Sequence, residues 1–347
     1  MYEIDFLPVE SENGSSSKSG DAIAIRFTVQ QTQQQAVIVI DAGYQAIGEN
    51  LVNHINHFYQ TNNVDLVIST HPDADHLNGL PTVLERMQVT ELMVHQPRLH
   101  SRDVSDFSNL EALDNLIKVA RQRGTKLSEP FRGETRFGGQ LTILGPTVEY
   151  YQELLEQHLF EEKMGLGRVL STRSLVAYTK DLLEYVLSGF PEETLTDEGE
   201  TSPRNNSSAI TLLQVDGHRL LFTGDAGIPA LQQAADYYES LYGSFRSYPL
   251  NFLQAPHHGS KRNLGPTILN QILGMPNTQY RTVTAFISSA KASKKHPSPK
   301  IVNALSRRGC EVCATEGRSI QTGEGAPYRW GWTTLQPIPP LSENEDD

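Results

Sequence analysis

Four side chains able to hold a metal ion lie within six residues of one another: His71, Asp73, Asp75 and His76, in Thr70-His71-Pro72-Asp73-Ala74-Asp75-His76. Imidazole nitrogen and carboxylate oxygen together suit zinc, manganese or iron. In extended backbone His71 and Asp73 point the same way. Asp75 and His76 follow as the chain turns, so one compact loop can face two ions. The competing role is a helix N-cap, with Asp and Pro in their usual places. A cap accounts for one aspartate; it leaves the second aspartate and both histidines unexplained.

The elements around this loop place it at a sheet edge. The apolar run Val64 to Ile68 predicts a buried strand, and Leu77 to Val89 a helix. Ligands at a strand end that feeds a helix sit where layered α/β folds carry their sites. Later stretches repeat the arrangement. Leu212 to Val215 and Arg219 to Phe222 predict a hairpin about Asp216-Gly217, running into Thr223-Gly224-Asp225-Ala226. Phe252 to Ala255 runs into Pro256-His257-His258-Gly259-Ser260. Thr282 to Ser289 is a further strand, followed by Lys291, Lys294, Lys295, His296 and Pro297 and then a helix from Lys300 to Arg307.

Thr-His-Pro-Asp-Ala-Asp-His resembles the first metal motif of the metallo-β-lactamase superfamily, His-x-His-x-Asp-His, with Asp73 in place of the second histidine. Pro-His-His-Gly-Ser resembles the signature of its ComEC-like branch, the hydrolase domain of DNA-uptake proteins. Asn205-Asn206-Ser207-Ser208 resembles the Asn-Asn-x-Ser stretch of that branch. The similarity spans roughly residues 2 to 335. It implies an α/β fold, a four-layer αββα sandwich, and a catalytic centre with two divalent ions, Zn or Mn. The implied metal set is His71, Asp73, Asp75, His76, Asp225, His258 and His296, with Asp225 bridging. One of His257 and His258 binds metal and the other donates a proton. Asp75, His257 and His296 are assigned to the chemistry, and Asn205, Asn206, Ser208, Ser260, Lys261 and Lys295 to substrate. Asp41 is expected to support the metal loop from behind. The superfamily places a metal-binding histidine near residue 205, and this chain has none there.

Composition bounds the remaining choices. The chain has 347 residues, 38% hydrophobic and 20% charged, which is ordinary for a globular protein. Two cysteines, Cys310 and Cys313, exclude a disulfide framework, and one C-x-x-C cannot complete a four-sulfur zinc site. No apolar run reaches membrane-spanning length, and Met1 to Phe6 shows neither a basic flank nor a signal core. A cytoplasmic protein with no membrane partner is expected. The net charge of −12 counts against broad electrostatic capture of nucleic acid. It leaves a phosphodiester substrate open, since bound cations supply local positive charge.

Residues 1–335 are read as one hydrolase domain and 336–347 as an acidic tail. Helical periodicity in Gly145 to Leu159 and Ser174 to Leu187 predicts a helical insertion at about 148–190. The acidic, proline-bearing 190–204 reads as a mobile loop, a place for a regulatory partner to act. Glu10 to Gly20 and Gln30 to Gln35 read as loops, and His54, His57, His95, His100 and His158 as surface histidines.

The expected function is metal-dependent hydrolysis, foremost a phosphodiesterase or nuclease cleaving DNA with a metal-bridged hydroxide. The alternatives are a phosphodiesterase for small cyclic nucleotides and a non-catalytic metal-binding regulatory module.

Overall fold

The computed structural model describes residues 1–10, 18–101, 103–104, 109–163, 193–276 and 282–343. Its first sheet opens with an antiparallel meander of β1 (Tyr2–Phe6), β2 (Ala22–Thr28) and β3 (Gln35–Ala42). It continues in parallel through β4 (Asn63–Ile68), β5 (Gln88–Met93) and β6 (Lys126–Ser128). The second sheet has antiparallel β7 (Thr135–Arg136), β8 (Leu141–Gly145), β9 (Ile210–Val215) and β10 (His218–Phe222). Parallel β11 (Phe252–Gln254), β12 (Val283–Ile287) and β13 (Cys310–Ala314) complete it. The chain then returns to the first sheet, where β14 (Ile320–Glu324) pairs antiparallel with β1. Each sheet has seven strands.

Alternation along the strands builds the layers. Ile38 and Ile40 of β3 face the core between the sheets, while Val37 and Val39 face outward. In the second sheet Phe222, Phe252 and Phe286 fill the inner core and Leu221, Leu253 and Ala285 the outer one. Both faces of each sheet are therefore apolar, and helices must cover the outer ones. Leu113, Leu116, Ile117 and Ala120 of helix Leu110–Arg123 lie at helical spacing on one face and join helices Gln45–His54 and Leu80–Arg86 over the first sheet. Helices Ile228–Tyr242, Pro266–Leu273 and Pro299–Arg307 cover the second. The result is the expected four-layer αββα sandwich.

Several expectations change. The helix read from Leu77 to Val89 is two short pieces, Ala74–Leu77 and Leu80–Arg86. The chain is already extended at Met87 because β5 begins at Gln88. Cys310 and Cys313 lie on opposite faces of β13, one in the outer core and one between the sheets, so they cannot share a ligand. The helical insertion is described only as far as Val148–Lys163, and the stretch Ser174 to Leu187 lies outside the described residues.

The described part of the acidic loop is anchored rather than loose. Glu193 takes both Nη groups of Arg308 at 2.6 and 2.8 Å, Asp197 accepts from Thr267, and Leu195 is buried. Glu343 in the tail holds Asn303 and Arg307. Among the described residues, no helix is long and apolar enough to cross a membrane.

Candidate metal centre

Strands β3, β4, β10, β11 and β12 deliver their C-terminal ends to one rim. Asp41 ends β3, His71 follows β4, Asp225 follows β10, His257 and His258 follow β11, and His296 lies beyond β12. β2 runs the other way, so Asp21 at its start reaches the same rim. The Asp21 amide donates to the Asp75 carbonyl at 3.1 Å. A Cβ on Gly20 would strike that same carbonyl oxygen, so glycine is required beside the loop.

Asp225 sits at the middle. Its Oδ1 lies 3.4 Å from His76 Nε2, and its Oδ2 lies 3.7 Å from both His71 Nε2 and His257 Nδ1. Ser208 Oγ accepts from the Asp225 amide at 3.1 Å, and Asn263 Nδ2 donates to the Asp225 carbonyl at 2.8 Å. Gly224 before it has φ +52°, and His257 and His258 have φ +48° and +57°. A left-handed backbone costs a non-glycine residue about 1–3 kcal/mol, and it persists where surroundings force it.

Proton accounting fixes two rings. His76 Nδ1 lies 2.8 Å from Asp41 Oδ2, which as a carboxylate only accepts, so Nδ1 carries a proton. Thr70 Oγ1 gives its single proton to Asp41 Oδ2 at 2.5 Å, and so accepts from His71 Nδ1 at 3.0 Å. The Nε2 atoms of both rings therefore point into the cluster. Asp41 supports the loop from behind, and the Thr70 amide also donates to it at 2.8 Å.

His258 Nε2 is 3.6 Å from Asp75 Oδ2, and its Nδ1 is 3.9 Å from Asp21 Oδ1. Gln254 Nε2 donates to the other Asp21 oxygen at 2.7 Å. Among the described residues, His71 Nε2, His76 Nε2, both His258 nitrogens and Asp225 Oδ1 are buried without a hydrogen bond. Buried polar atoms are almost always partnered. These converge at ligand spacing: Asp75, His76 and His258 bring ligand atoms within 4.8 Å of one another, as do Asp21, Asp225 and His258. This donor set fits a divalent cation.

Charge in the cluster is tightly coupled. Burial works to raise Asp225, but the His257, His76 and His258 rings outweigh it and hold it well below the usual carboxylate range. Burial opposes a charged His76, yet Asp225 and Asp41 raise it well above the ordinary imidazole value. His258 is raised likewise, against its burial, chiefly by Asp225. Burial would raise Asp75, but the facing His258 ring and nearby His76 hold it at about 2. Asp21 is pushed up by burial. A cation entering here displaces protons from the rings.

The residues expected at the centre divide. His71, Asp75, His76, Asp225 and His258 converge, and Asp73 approaches with Oδ2 3.8 Å from His71 Nε2. His296 stands at the rim, its ring 5.9 Å from His257 and 6.3 Å from His258, outside the groups that could share an ion. Burial and then the His258 and His257 rings hold it at about 4, so it is neutral near pH 7.

His257 is one-third exposed. Ser202 Oγ donates to Asn205 Oδ1 at 2.8 Å, which turns the Asn205 amide nitrogen toward His257 Nδ1 at 2.7 Å. The His257 proton is therefore on Nε2, and burial lowers its pKa. Both polar ends of the Asn205 side chain are thereby engaged within the protein.

Several members of the expected substrate set make hydrogen bonds within the protein. Asn206 Oδ1 accepts from the Gly227 amide and Thr201, so it is committed to the scaffold. Ser208 serves Asp225, and Ser260 is buried and accepts from the Arg262 amide. Lys295 is exposed beside His296, and Lys261 is partly exposed.

Three supposed surface histidines are buried. His54 meets Asp5 at 3.3 Å, His95 stacks on Tyr151 with centroids 4.5 Å apart, and His158 is also covered. Burial holds His95 at about 3. His100 pairs with Glu129 at 3.0 Å, and His57 is exposed as expected.

Sequence reasoning missed Asp21, which precedes its strand and follows a serine-rich loop. It also missed Arg204, whose Nη1 lies 3.0 Å from Asp73 Oδ1. The signals available were Gly20-Asp21 directly before an apolar run, and an arginine directly before Asn205-Asn206.

A family profile described as the Metallo-beta-lactamase superfamily matches residues 27–274. The chain is 22% identical over 254 residues to ComE operon protein 3 of Bacillus subtilis (strain 168), a match covering 73% of this chain and 24% of that protein. Among solved structures, a diphosphatase from the PhnP family is 11% identical, covering 93% of this chain and 98% of that one, with a TM-score of 0.39. A long form RNase Z from yeast is 10% identical, covering 100% of this chain and 39% of that one, with a TM-score of 0.34. At these scores neither structural likeness supports a functional assignment. The profile match, the two-sheet sandwich and the rim of histidines and aspartates place this chain in the metallo-beta-lactamase superfamily.

Proposed function

We propose that the protein is a metal-dependent phosphodiesterase, with DNA as the foremost substrate. One observation carries the reading: Asp225 divides its two oxygens between His76 on one side and His71 and His257 on the other, and among the described residues the facing Nε2 atoms of His71 and His76 have no hydrogen-bond partner. A divalent ion held at such a set would supply Lewis acidity and make hydroxide available near neutral pH.

The chain's own residues do the rest. Asp41 and Thr70 hold two imidazoles in the tautomer that presents Nε2. His257, with its proton on Nε2 and Asn205 behind it, is oriented to donate a hydrogen bond to a phosphoryl oxygen. Its Nδ1 is already occupied and His296 is neutral, so neither ring arrives as a charged acid. Proton delivery to the leaving oxygen then falls to solvent. Arg204, Lys261 and Lys295 give a basic border to a chain of net charge −12, which favours an anionic substrate.

The test is plasmid cleavage with Mn²⁺ or Zn²⁺. Asp75→Ala, which removes a carboxylate 3.6 Å from His258 Nε2, is expected to abolish it. Undiminished cleavage would overturn the assignment.

A further inference from the structure

The two cation positions flanking Asp225 are not alike. On the Oδ1 side stand Asp75, His76 and His258, a complete triad with unpartnered ring nitrogens. On the Oδ2 side stand His71 and Asp73, with the His257 ring as the third neighbour. The stretch Arg204 to Ser208 beside Asp73 carries no histidine. His257 cannot substitute through Nδ1, which accepts from Asn205. Among the described residues, no group of three that could share an ion includes Asp73. A second resident divalent ion does not fit here.

A cation stands beside Asp73 nonetheless. Arg204 projects from the short helix Pro203–Asn206, and its Nη1 is 3.0 Å from Asp73 Oδ1. The arginine is held in place from below. Ser202 caps the turn by accepting the Asn205 amide, and the Ser207 amide and hydroxyl both donate to the Arg204 carbonyl. The Arg204 side chain is about a quarter exposed, with an accessibility of 26%, so solvent reaches it. Asp73 Oδ1 lies at hydrogen-bond distance from it but makes no well-aligned hydrogen bond. The pairing is therefore mainly one of charge, and the fork of N–H groups stays available to a second anion.

We propose that the resting protein holds one divalent ion, at Asp75, His76, His258 and Asp225, and that the Arg204 guanidinium is the resident cation of the other position. It offsets the Asp73 charge and presents N–H donors to the substrate's non-bridging oxygens. The phosphate-binding half of this proposal rests on the phosphodiesterase reading; the one-ion half does not. Guanidinium is always charged and matches phosphate geometry, so it supplies electrostatic stabilisation without coordinating a ligand. Removing it would leave His71 Nε2, Asp73 and Asp225 Oδ2 free to take a second ion weakly.

The experiment counts metal on the full chain, stripped with chelator, reloaded with Mn²⁺ or Zn²⁺, desalted and measured by elemental analysis. The wild type is expected to retain about one ion per chain, lost in His258→Ala and kept in His71→Ala. Arg204→Ala should take up an additional, weaker ion in an equilibrium titration, while Arg204→Lys, which keeps the charge, should not. Two tightly held ions in the wild type, loss of an ion in His71→Ala, or no added uptake in Arg204→Ala would each overturn the proposal. Circular dichroism melts confirm that the variants are folded. Separately, Arg204→Ala should lower kcat on a phosphodiester about 100-fold, with Arg204→Lys recovering part of it. If no phosphodiester is cleaved under any condition, the substrate reading fails while the metal count still stands.

Discussion

Asp5 and Asp225 are both buried carboxylates beside histidines, and their surroundings differ in kind. Asp5, with Glu3 on the same strand, is met by protein cations. Arg329 Nη1 donates to Asp5 at 2.5 Å and Nη2 to Glu3 at 2.7 Å, Arg26 Nε donates to Glu3 at 2.6 Å, and the Tyr59 hydroxyl donates to Asp5 at 2.7 Å. His54 adds a contact at 3.3 Å, and the Arg329 guanidinium lies over Phe58 and Trp332. Among the described residues, Asp225 has no arginine or lysine partner, and its Oδ1 and the facing imidazole nitrogens are left without hydrogen bonds. A charge network completed by the chain is structural: it pins the segment around Arg329 against β1. One left open by the chain needs an ion from solution.

The sharpest way to break this contrast is to neutralise one member of each region. Asp225→Asn should lower kcat/KM by about 10³-fold, several kcal/mol of transition-state stabilisation. It should also abolish the rise in melting temperature that added metal gives the wild type. Arg329→Ala should do the reverse. Breaking a buried pair costs about 3–5 kcal/mol of stability, so denaturant melts should show a large loss while activity per folded molecule is retained. If Arg329→Ala loses activity and Asp225→Asn loses only stability, the two regions have been assigned the wrong way round.

A smaller effect sharpens the structural half. Glu91 accepts from Arg136 at 2.6 and 2.9 Å and from Ser128 at 2.6 Å, tying β5 and β6 of one sheet to β7 of the other. Burial would raise its pKa, but Arg136 foremost holds it at about 2. A depressed carboxylate stabilises the fold above its unfolded pKa, about 4.3, and this is lost as pH falls toward 2. Glu91→Gln should cost about 1–3 kcal/mol at pH 7 and little at pH 2. The wild type's melting temperature should therefore fall more steeply than the variant's over that window. Parallel slopes would contradict the assignment.

Legibility in the sequence divides along the same line. The loop from His71 to His76, Asp225 and the His257-His258 pair are dense in ligand types and directly follow apolar runs, so local sequence carries both their chemistry and their placement. Asp5 and Arg329 are 324 residues apart, and nothing local marks them as partners. For the same reason His54 has the local signature of a solvated helix residue, although Asp5 lies beneath it. Asp21 is hidden because it precedes its strand, and antiparallel pairing alone brings it to the rim. Asn206 and Ser208 resemble substrate contacts by motif, but their polar atoms are taken by the Gly227 and Asp225 amides. Motif identity predicts location well; which way an amide or hydroxyl is turned depends on its neighbours in space.

Anomalous diffraction from crystals soaked in Zn²⁺ tests the central claim most directly. A strong peak is expected about 2.0–2.2 Å from His76 Nε2, His258 Nε2 and an Asp225 oxygen, the span of zinc–nitrogen and zinc–oxygen bonds. A metal bound only elsewhere, with the space beside Asp225 holding nothing but water, would contradict it.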